Sequence, residues 1–335
     1  MKLFLLLFLF PITLLSQKIN GVNIVSPKLK VYSNPIDTIK SINANWVAIC
    51  PFAFLTPNNP EIRYENSDSW YGDKYNGVKE MIKFAKNSKL KILLKPHFWV
   101  DGEGWAGDYN LSNDKWKVWE RNYINYILRL AKLADSNKVE MFCIGTEWKN
   151  AVKERPKFWF YLIDSVRKYY SGKLTYAANW DEYHNVPFWS ELDFIGVDAY
   201  FPLLKIKTPS IETLKNEWLD IKKDLKAISI KNKKKILFTE YGYRSVNYTA
   251  WKQWEIENLS IKNAVNYRSQ VNSYVALFDT FWNENWLAGG FIWKWYSDIE
   301  NQLDVFIDTD YTPQGKPVEA IIKQRYLINK DKFPN

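Results

Sequence analysis

The sequence predicts an α/β protein that folds as a single (β/α)8 barrel, a TIM barrel with long βα loops. Three observations lead to this prediction. Eight short apolar segments recur along the 335 residues, helical segments separate nearly all of them, and polar or aromatic residues follow where the apolar segments end. This alternation is typical of a parallel barrel, whose functional residues lie at the carboxyl ends of the strands. The alternative is an open doubly wound sheet, which normally has a glycine-rich turn after its first strand, and Gly21-Val22-Asn23 is not one.

The eight predicted strands are largely apolar, as expected for parallel strands covered on both faces. They span residues 19–24, 45–50, 90–95, 139–144, 173–177, 192–197, 235–238 and 289–293. The predicted helices span residues 35–42, 75–87, 113–134, 156–170, 263–282 and 315–326, and one more begins at Pro209-Ser210. Helix 113–134 has the clearest period, because its apolar residues recur at steps of three and four. Segments 51–70 and 100–110 are rich in Pro, Asn or Gly and are predicted to be irregular loops.

The first 16 residues have the features of a secretory signal peptide. Lys2 supplies the charge, residues 3–15 are apolar, and Ser16 precedes a plausible cleavage point. Because a bilayer span needs about 20 apolar residues, a cleaved signal is favoured over a permanent anchor. We therefore expect a secreted or periplasmic protein with no stable membrane anchor, in which residues 17–335 form one catalytic domain.

The amino-acid composition favours some classes of function and excludes others. Aromatic residues make up 17% of the chain, including 17 Trp, and such rings stack on the apolar faces of sugars. The net charge is +9, but the one basic run, 231–235, precedes a strand and faces away from the predicted site, so no nucleic-acid partner is expected. His97 and His184 are too few for a multi-histidine zinc site, and we expect no metal or cofactor. Cys50 and Cys143 lie on strands that another strand separates, which favours two buried free thiols over a disulfide.

Two glutamates occupy the same position relative to their predicted strands. Glu147 and Glu240 each follow an apolar run, with Thr before the Glu and an aromatic residue after it. Gly145 is expected to let the backbone turn ahead of Glu147. Carboxylates at matching ends of two barrel strands face each other across the mouth. Retaining glycoside hydrolysis needs such a pair, one to protonate the leaving oxygen and one to attack the anomeric carbon. A plain surface position is the alternative for either glutamate alone.

Other polar and aromatic residues follow the remaining strands. Tyr200 is expected to hold Glu240 by a hydrogen bond, and Asp198 either supports the mouth or contacts substrate. His97 is predicted to donate to a sugar hydroxyl or to Glu147. The predicted substrate-binding residues are Lys95, His97, Trp99, Thr146, Asn179, Trp180, Asp198, Tyr200, Trp293 and Trp295, with Trp70 and Trp105 as further candidates for stacking on sugars. Trp293 and Trp295 are expected to point the same way, because side chains alternate along a strand, and one of them to form the floor under the cleaved sugar.

Five short stretches, in their order and spacing, resemble glycoside hydrolase family 113, the β-mannanase family within the clan of retaining (β/α)8-barrel glycoside hydrolases. They are Lys95-Pro96-His97, Ile144-Gly145-Thr146-Glu147, Gly196-Val197-Asp198-Ala199-Tyr200, Thr239-Glu240-Tyr241-Gly242-Tyr243 and Trp293-Lys294-Trp295. The resemblance covers residues 18–326. It implies that Glu147 is the acid/base and Glu240 the nucleophile, and that the substrate is β-1,4-linked mannan or manno-oligosaccharide, cleaved with retention.

One residue departs from the wider clan, in which Asn often precedes the acid/base and contacts the sugar 2-hydroxyl. Here that residue is Thr146, and in a mannoside the 2-hydroxyl is axial, which accounts for a different contact. Two alternatives stay open. The same chemistry would act on another β-linked polysaccharide or oligosaccharide, or the barrel would bind carbohydrate without catalysis, which intact Glu147 and Glu240 argue against. We expect a monomer.

Overall fold

The computed structural model of the chain describes residues 17–102, 104–256, 264–300 and 307–332. The predicted signal peptide, residues 1–16, lies outside the described residues, as does the first residue of the predicted helix 263–282. Across the described ranges, no helix has both the length and the apolar character that a membrane crossing requires.

Eight parallel strands close into a barrel, which confirms the predicted (β/α)8 fold. The strands of the described chain are β1 (Ile19–Val25), β2 (Trp46–Ile49), β3 (Phe52–Leu55), β4 (Lys91–Leu94), β5 (His97–Val100), β6 (Met141–Thr146), β7 (Lys173–Asn179), β8 (Phe194–Asp198), β9 (Lys235–Tyr241) and β10 (Leu287–Tyr296). Around the barrel the order is β1, β2, β4, β6, β7, β8, β9 and β10, and β10 pairs again with β1. All strands except β3 and β5 therefore belong to the barrel.

Helices cover the outside of the barrel at most connections. The α-helices of the described chain are α1 (Asp37–Lys40), α2 (Tyr75–Asn87), α3 (Asn113–Ser136), α4 (Lys149–Glu154), α5 (Pro156–Arg167), α6 (Ile211–Asn232), α7 (Tyr267–Phe281) and α8 (Pro317–Lys332). Ser210 caps α6 by accepting a hydrogen bond from the backbone N–H of Thr213 at 3.1 Å. The connection from β7 to β8 has two short 3-10 turns, Tyr183–Asn185 and Trp189–Glu191, in place of an α-helix.

The strands β3 and β5 form a separate two-stranded sheet beyond the carboxyl ends of β2 and β4. Residues 51–70, which include β3, were predicted to be an irregular loop because they are rich in Pro and Asn. The chain instead resumes parallel pairing directly after Pro51 and Pro96. Along β5, Phe98 and Val100 are buried while His97 and Trp99 lie on the opposite, more exposed face.

Apolar residues fill the barrel interior and the layer between strands and helices. Cys50 and Cys143 both lie in the interior as buried free thiols, as predicted. The twelve largest fully buried side chains of the described residues are all Trp or Tyr. Much of the aromatic excess therefore packs the core, whereas the sequence interpretation assigned it to sugar binding.

Residues from both ends of the described chain meet where the barrel closes. The ammonium group of Lys18, just before β1, donates to the carbonyl of Glu284 at 2.6 Å and to that of Leu287, the first residue of β10. Tyr326 on α8 donates its hydroxyl to the carbonyl of Gly21 on β1 at 2.9 Å. These contacts join the first strand to the last strand and the last helix.

Candidate active site

Glu147 lies at the carboxyl end of β6, where the backbone turns. The turn occurs at Glu147 itself, which has a left-handed φ of 55°. The expectation that Gly145 makes the turn is wrong, because Gly145 stays within β6. Gly145 is needed for another reason: a Cβ there would lie 2.7 Å from the hydroxyl of Tyr123 and 2.9 Å from the ring of Trp159.

The residue after Glu147 is held firmly by its neighbours. The ring of Trp148 is fully buried and packs against Trp119 and Phe98, with centroids 4.9 and 5.0 Å away. Its backbone N–H donates to the hydroxyl of Tyr176 at 2.7 Å, and that hydroxyl donates to the buried carboxyl of Glu182 at 2.9 Å. Core packing and two hydrogen bonds therefore fix the main chain beside the left-handed glutamate.

Glu147 itself is partly buried and receives one strong donor. The indole N–H of Trp105 donates to Oε2 of Glu147 at 2.7 Å. Burial, together with the negative charges of Glu240 and Glu182, raises the pKa of Glu147 to about 8, although the hydrogen bond from Trp105 acts in the opposite direction. Glu147 is therefore protonated at neutral pH and has a proton to give.

Glu240, on β9, has the opposite character. Its Oε1 is paired with the ammonium of Lys95 and lies 3.3 Å from Nε2 of His97, and its Oε2 accepts from the hydroxyl of Tyr200 at 2.7 Å. Burial alone would raise the pKa of Glu240, but the charge of Lys95 and the contact with His97 outweigh it and hold the pKa at about 2. Glu240 is therefore a carboxylate fixed at both oxygens. The bond from Tyr200 is the one that the sequence predicted.

Lys95 and Asp198 lie beneath Glu240 rather than at the surface of the mouth. Both side chains are completely buried, and Asp198 accepts a hydrogen bond from the hydroxyl of Thr239 at 2.7 Å. Burial and the charge of Glu240 raise the pKa of Asp198 well above its ordinary range. Because neither side chain is accessible to a ligand, the prediction that Lys95 contacts substrate is wrong. Of the two roles predicted for Asp198, its burial favours support of the mouth over substrate contact.

His97 and Trp293 stack on each other at the edge of the site. Their ring centroids are 5.4 Å apart with an interplanar angle of 24°. His97 faces Glu240, and not Glu147 as one of the two expectations had it. Burial and the charge of Lys95 lower the pKa of His97 to about 4, so the ring is neutral at neutral pH. Trp293 and His97 together form a wall next to the carboxylate.

Trp295 does not share this face, contrary to the prediction from strand alternation. The pairing register of β10 with β1 shifts between Trp293 and Trp295, so that Lys294 is an extra residue. As a result Trp295 is buried in the outer layer, where its indole donates to the hydroxyl of Thr38 at 3.1 Å. Trp295 is therefore a core residue and not a substrate contact.

Of the remaining predicted substrate-binding residues, some are buried and hold the backbone, and others are exposed to solvent. Thr146 is buried and donates to the carbonyl of Pro96 at 3.3 Å, which makes it a link between strands rather than a sugar contact. Asn179, half-buried at the end of β7, accepts from the backbone N–H of Trp180 at 2.9 Å. Trp180 is partly buried, and Trp99 is 50% exposed on the face of β5 that also bears His97.

The profile of Glycoside Hydrolase Family 113 matches residues 30–316, which is most of the chain. The chain belongs to Glycoside Hydrolase Family 113. The matched segment includes both glutamates and the residues described above that contact them.

The fold of the chain is similar to solved structures of proteins from this family. The GH113 beta-mannanase AaManA from Alicyclobacillus acidocaldarius, solved in complex with ManMIm, superposes with a TM-score of 0.80 at 22% identity and covers 93% of this chain and 98% of its own. A GH113 beta-1,4-mannanase solved as a complex gives a TM-score of 0.79 at 25% identity, covering 93% of this chain and 99% of that one. A search among curated protein sequences finds no match.

Four residues around this family 113 site make contacts that were not predicted from the sequence. Trp105 was expected to stack on sugar, yet it bonds to the carboxyl of Glu147. No role was predicted for Glu182 or Tyr311. Glu182 accepts from the hydroxyl of Tyr176, which in turn accepts from the backbone N–H of Trp148 beside Glu147, and the half-buried ring of Tyr311 lies 6.0 Å from that of Tyr200. No role was predicted for Trp254, which stacks on Trp180. The sequence signal for all four was weak, because each lies on a loop rather than directly at a strand end.

Proposed function

We propose that this family 113 glycoside hydrolase is a retaining endo-β-1,4-mannanase. The observation that carries the proposal is the contrast between the two glutamates: Glu240 is held as a carboxylate while Glu147 keeps its proton. That contrast is what a double-displacement mechanism requires of its nucleophile and its acid. The choice of mannan is supported by the similar solved structures, which are β-mannanases of this family.

In the first step, a carboxylate oxygen of Glu240 attacks the anomeric carbon of the mannosyl residue. The bond from that carbon to the glycosidic oxygen breaks, and the oxygen takes the proton of Glu147 and leaves as the sugar hydroxyl. A glycosyl ester on Glu240 results. Tyr200 and His97, which contact the two oxygens of Glu240, keep the attacking carboxylate in a single orientation.

In the second step, Glu147 changes from acid to base, and the loss of charge on Glu240 favours this change. Once Glu240 is an ester it has no charge, so one of the causes that raise the pKa of Glu147 is removed. Glu147, now a carboxylate of lower pKa, takes a proton from water as that water attacks the anomeric carbon. The ester bond breaks, the product leaves with its original anomeric configuration, and both glutamates return to their starting states.

Release of reducing sugar from purified protein tests the activity and the substrate class. The panel consists of β-mannan, glucomannan, cellulose, xylan and galactan, and the Glu240→Ala variant is the blank. We expect release from the two mannans by the wild type and none by the blank. Release from a different polymer alone would overturn the choice of mannan, and binding without release from any polymer would support a carbohydrate-binding barrel.

Two further measurements separate retention and endo action from the activity itself. Proton NMR during the first minutes of hydrolysis should show the β-anomer of the product ahead of its equilibration. A 2-deoxy-2-fluoro mannosyl donor should add its glycosyl mass to a peptide that contains Glu240. The α-anomer appearing first would contradict the mechanism, and release of a single sugar size from polymer would contradict endo action.

Export is a separate part of the proposal. Residues 1–16 would be removed during secretion to the periplasm or the medium, where polymeric mannan is met. Mass spectrometry of the protein recovered from its native host should give a chain that begins near Gln17. A chain that retains Lys2 would contradict this part and leave the catalytic proposal intact.

A further inference from the structure

A second buried carboxyl is connected to the acid and has no part in the mechanism above. Glu182 follows β7 in the loop to β8 and is only 2% exposed. Its Oε1 accepts from the hydroxyl of Tyr176 at 2.9 Å, while its Oε2 is buried without a hydrogen-bond partner among the described residues. A buried oxygen left unpartnered costs about 1–3 kcal/mol, so a carboxyl at this position needs an explanation.

The contacts of Tyr176 lead from Glu182 to the backbone of the acid. Tyr176 lies on β7, is fully buried, and accepts at its hydroxyl from the backbone N–H of Trp148 at 2.7 Å. Its single hydroxyl proton is given to Glu182. The backbone N–H of Glu147 donates to the carbonyl of Ala177, also on β7, at 2.8 Å. Two successive N–H groups at the acid are therefore bonded to one strand.

These two bonds hold a backbone conformation that is unfavourable by itself. Glu147 has a left-handed φ of 55°, which costs a residue with a side chain roughly 1–2 kcal/mol. Because peptide units are planar, fixing the N–H of Glu147 and the N–H of Trp148 fixes both φ and ψ of Glu147. A change in these angles would move the carboxyl away from the glycosidic oxygen, and small misplacements of a catalytic group cost much of its effect.

We propose that Glu182 is a positioning residue for the acid: it accepts the proton of the Tyr176 hydroxyl, orients that hydroxyl toward the N–H of Trp148, and thereby keeps the carboxyl of Glu147 at the leaving oxygen. This inference rests on the proposed function. Without the acceptor, the hydroxyl would lose its orientation and the backbone beside the acid would lose a partner. Glu182 contacts neither the substrate nor the reacting atoms, and acts through its two neighbours.

The charge of Glu182 has a second effect on the acid. Burial raises the pKa of Glu182 to about 8, so the group is neutral at neutral pH, and when it ionises its charge raises the pKa of Glu147. The other ionisable groups around Glu182 are Tyr176 on β7, the adjacent Asp181, Asp198 at the end of β8, Glu147 after β6, and Lys149 on α4, which is paired with Asp181 at 2.6 Å. A neutral residue in place of Glu182 should therefore lower the pKa of Glu147.

The test compares two substrates that differ in their need for an acid. A manno-oligosaccharide needs a proton on its leaving oxygen, whereas the dinitrophenolate of a dinitrophenyl manno-oligoside leaves without one. On the second substrate kcat/KM reports only the steps up to attack by Glu240. Tyr176→Phe and Glu182→Ala should each lower kcat/KM by about 10–100-fold on the oligosaccharide and by less than about twofold on the dinitrophenyl substrate.

Glu182→Gln separates the hydrogen bond from the charge. Its amide oxygen can still accept from Tyr176, so kcat/KM on the oligosaccharide at pH 6 should stay within about threefold of the wild type. The alkaline limb of its profile of kcat/KM against pH should move to lower pH, because the charge that raises the pKa of Glu147 is gone. A loss as large as that of Glu182→Ala would overturn the role of the hydrogen bond, and a limb that stays in place would overturn the role of the charge.

Tyr170→Phe is the matched control for damage to the fold. Tyr170 is also a buried tyrosine, and its hydroxyl donates to the carbonyl of Val139 at 2.8 Å, just before the amino end of β6. Its loss should lower the melting temperature and leave the ratio of kcat/KM between the two substrates unchanged. Equal losses on both substrates for Tyr176→Phe, or no loss on either, would overturn the positioning role. A wild-type protein inactive on both substrates would instead refute the proposed function.

Discussion

The ammonium nitrogen of Lys95 lies 3.8 Å from a carboxyl oxygen of Asp198, and both side chains are completely buried beneath Glu240. Three ionisable groups in one buried space cannot all be charged at low cost, because burial penalises each charge. The single positive charge of Lys95 is directly paired with Glu240, while burial and the charge of Glu240 raise the pKa of Asp198 well above its ordinary range. Lys95 therefore acts through Glu240 as a positioning residue.

Lys95→Met should raise the pKa of Glu240, since the main interaction that favours its charged form is lost. Activity requires the carboxylate, so the acid limb of the profile of kcat/KM against pH should move upward by about one to three units. The folded state should also lose roughly 3–5 kcal/mol, because a buried carboxylate keeps no counter-ion. Asp198→Asn is the matched control: it replaces a buried carboxyl, whose raised pKa favours the neutral form, by an amide of similar shape and should leave the acid limb in place. Equal shifts in both variants would show that Lys95 does not set the charge of Glu240.

The wild-type profile of kcat/KM should fall on the alkaline side as pH rises through about 8. Glu147 must be protonated to act as the acid, and above its pKa the proton is lost. On the acid side the decline should come only near pH 2, where Glu240 takes up a proton. Steady-state kinetics from pH 3 to 10 checks the alkaline fall and the absence of an acid decline at pH 4 and above, with unfolding monitored by circular dichroism at each pH. An alkaline decline of kcat/KM that already begins at pH 5 would contradict the assignment of Glu147 as the acid.

Glu147→Gln should slow hydrolysis of manno-oligosaccharides by about 10²–10⁴-fold, the usual contribution of a general acid. Binding should persist, because the amide has nearly the same shape and size. The dinitrophenolate of a dinitrophenyl mannoside leaves without needing a proton, so this substrate should still form the glycosyl-enzyme in the variant. Stopped-flow detection of a dinitrophenol burst is the measurement. Unchanged turnover of oligosaccharides would remove Glu147 from the acid role.

Trp105→Phe should raise the pKa of Glu147, because the indole N–H that stabilises its charged form is removed. The alkaline limb of the pH profile should therefore move to higher pH. The loss of a charge-assisted hydrogen bond that also orients the carboxyl should lower kcat by roughly tenfold. A drop in kcat with no movement of the limb would mean that Trp105 acts only through packing.

Gly145→Ala should destabilise the protein by about 1–3 kcal/mol, since the added Cβ would overlap the hydroxyl of Tyr123 and the ring of Trp159. Thermal unfolding is the measurement. In a Tyr123→Phe background the same change should cost less, because the nearer of the two contacts is gone. An identical cost in both backgrounds would place the overlap elsewhere.

Much of this arrangement could be predicted from local sequence. Apolar runs that end on Glu147 and Glu240 revealed both the barrel strands and the glutamate pair, because the period of a buried strand and the residue at its end are adjacent in the sequence. The bond from Tyr200 to Glu240 followed from the order of neighbouring strands. The family resemblance rested on the same strand-end stretches.

Other features depend on geometry that local sequence does not carry. Trp295 was misplaced because one extra residue in β10 shifts the register, and a shift of one residue reverses every later side chain. Lys95 was expected to contact substrate, and two roles stayed open for Asp198, because a position at a strand end does not tell how deeply a side chain is buried. The role of Trp105 depends on the path of its loop, which brings it to Glu147 across 42 positions of sequence.

The contact between Lys95 and Glu240 joins positions 145 residues apart, and Lys18 and Tyr326 join the first strand to the last elements of the chain. Contacts of such separation form late, because the chain between them must be ordered first. Neither half of the chain contains a charged nucleophile together with its counter-ion. Turnover therefore requires both halves of the chain to be packed together, and its return during refolding reports that this long-range packing has formed.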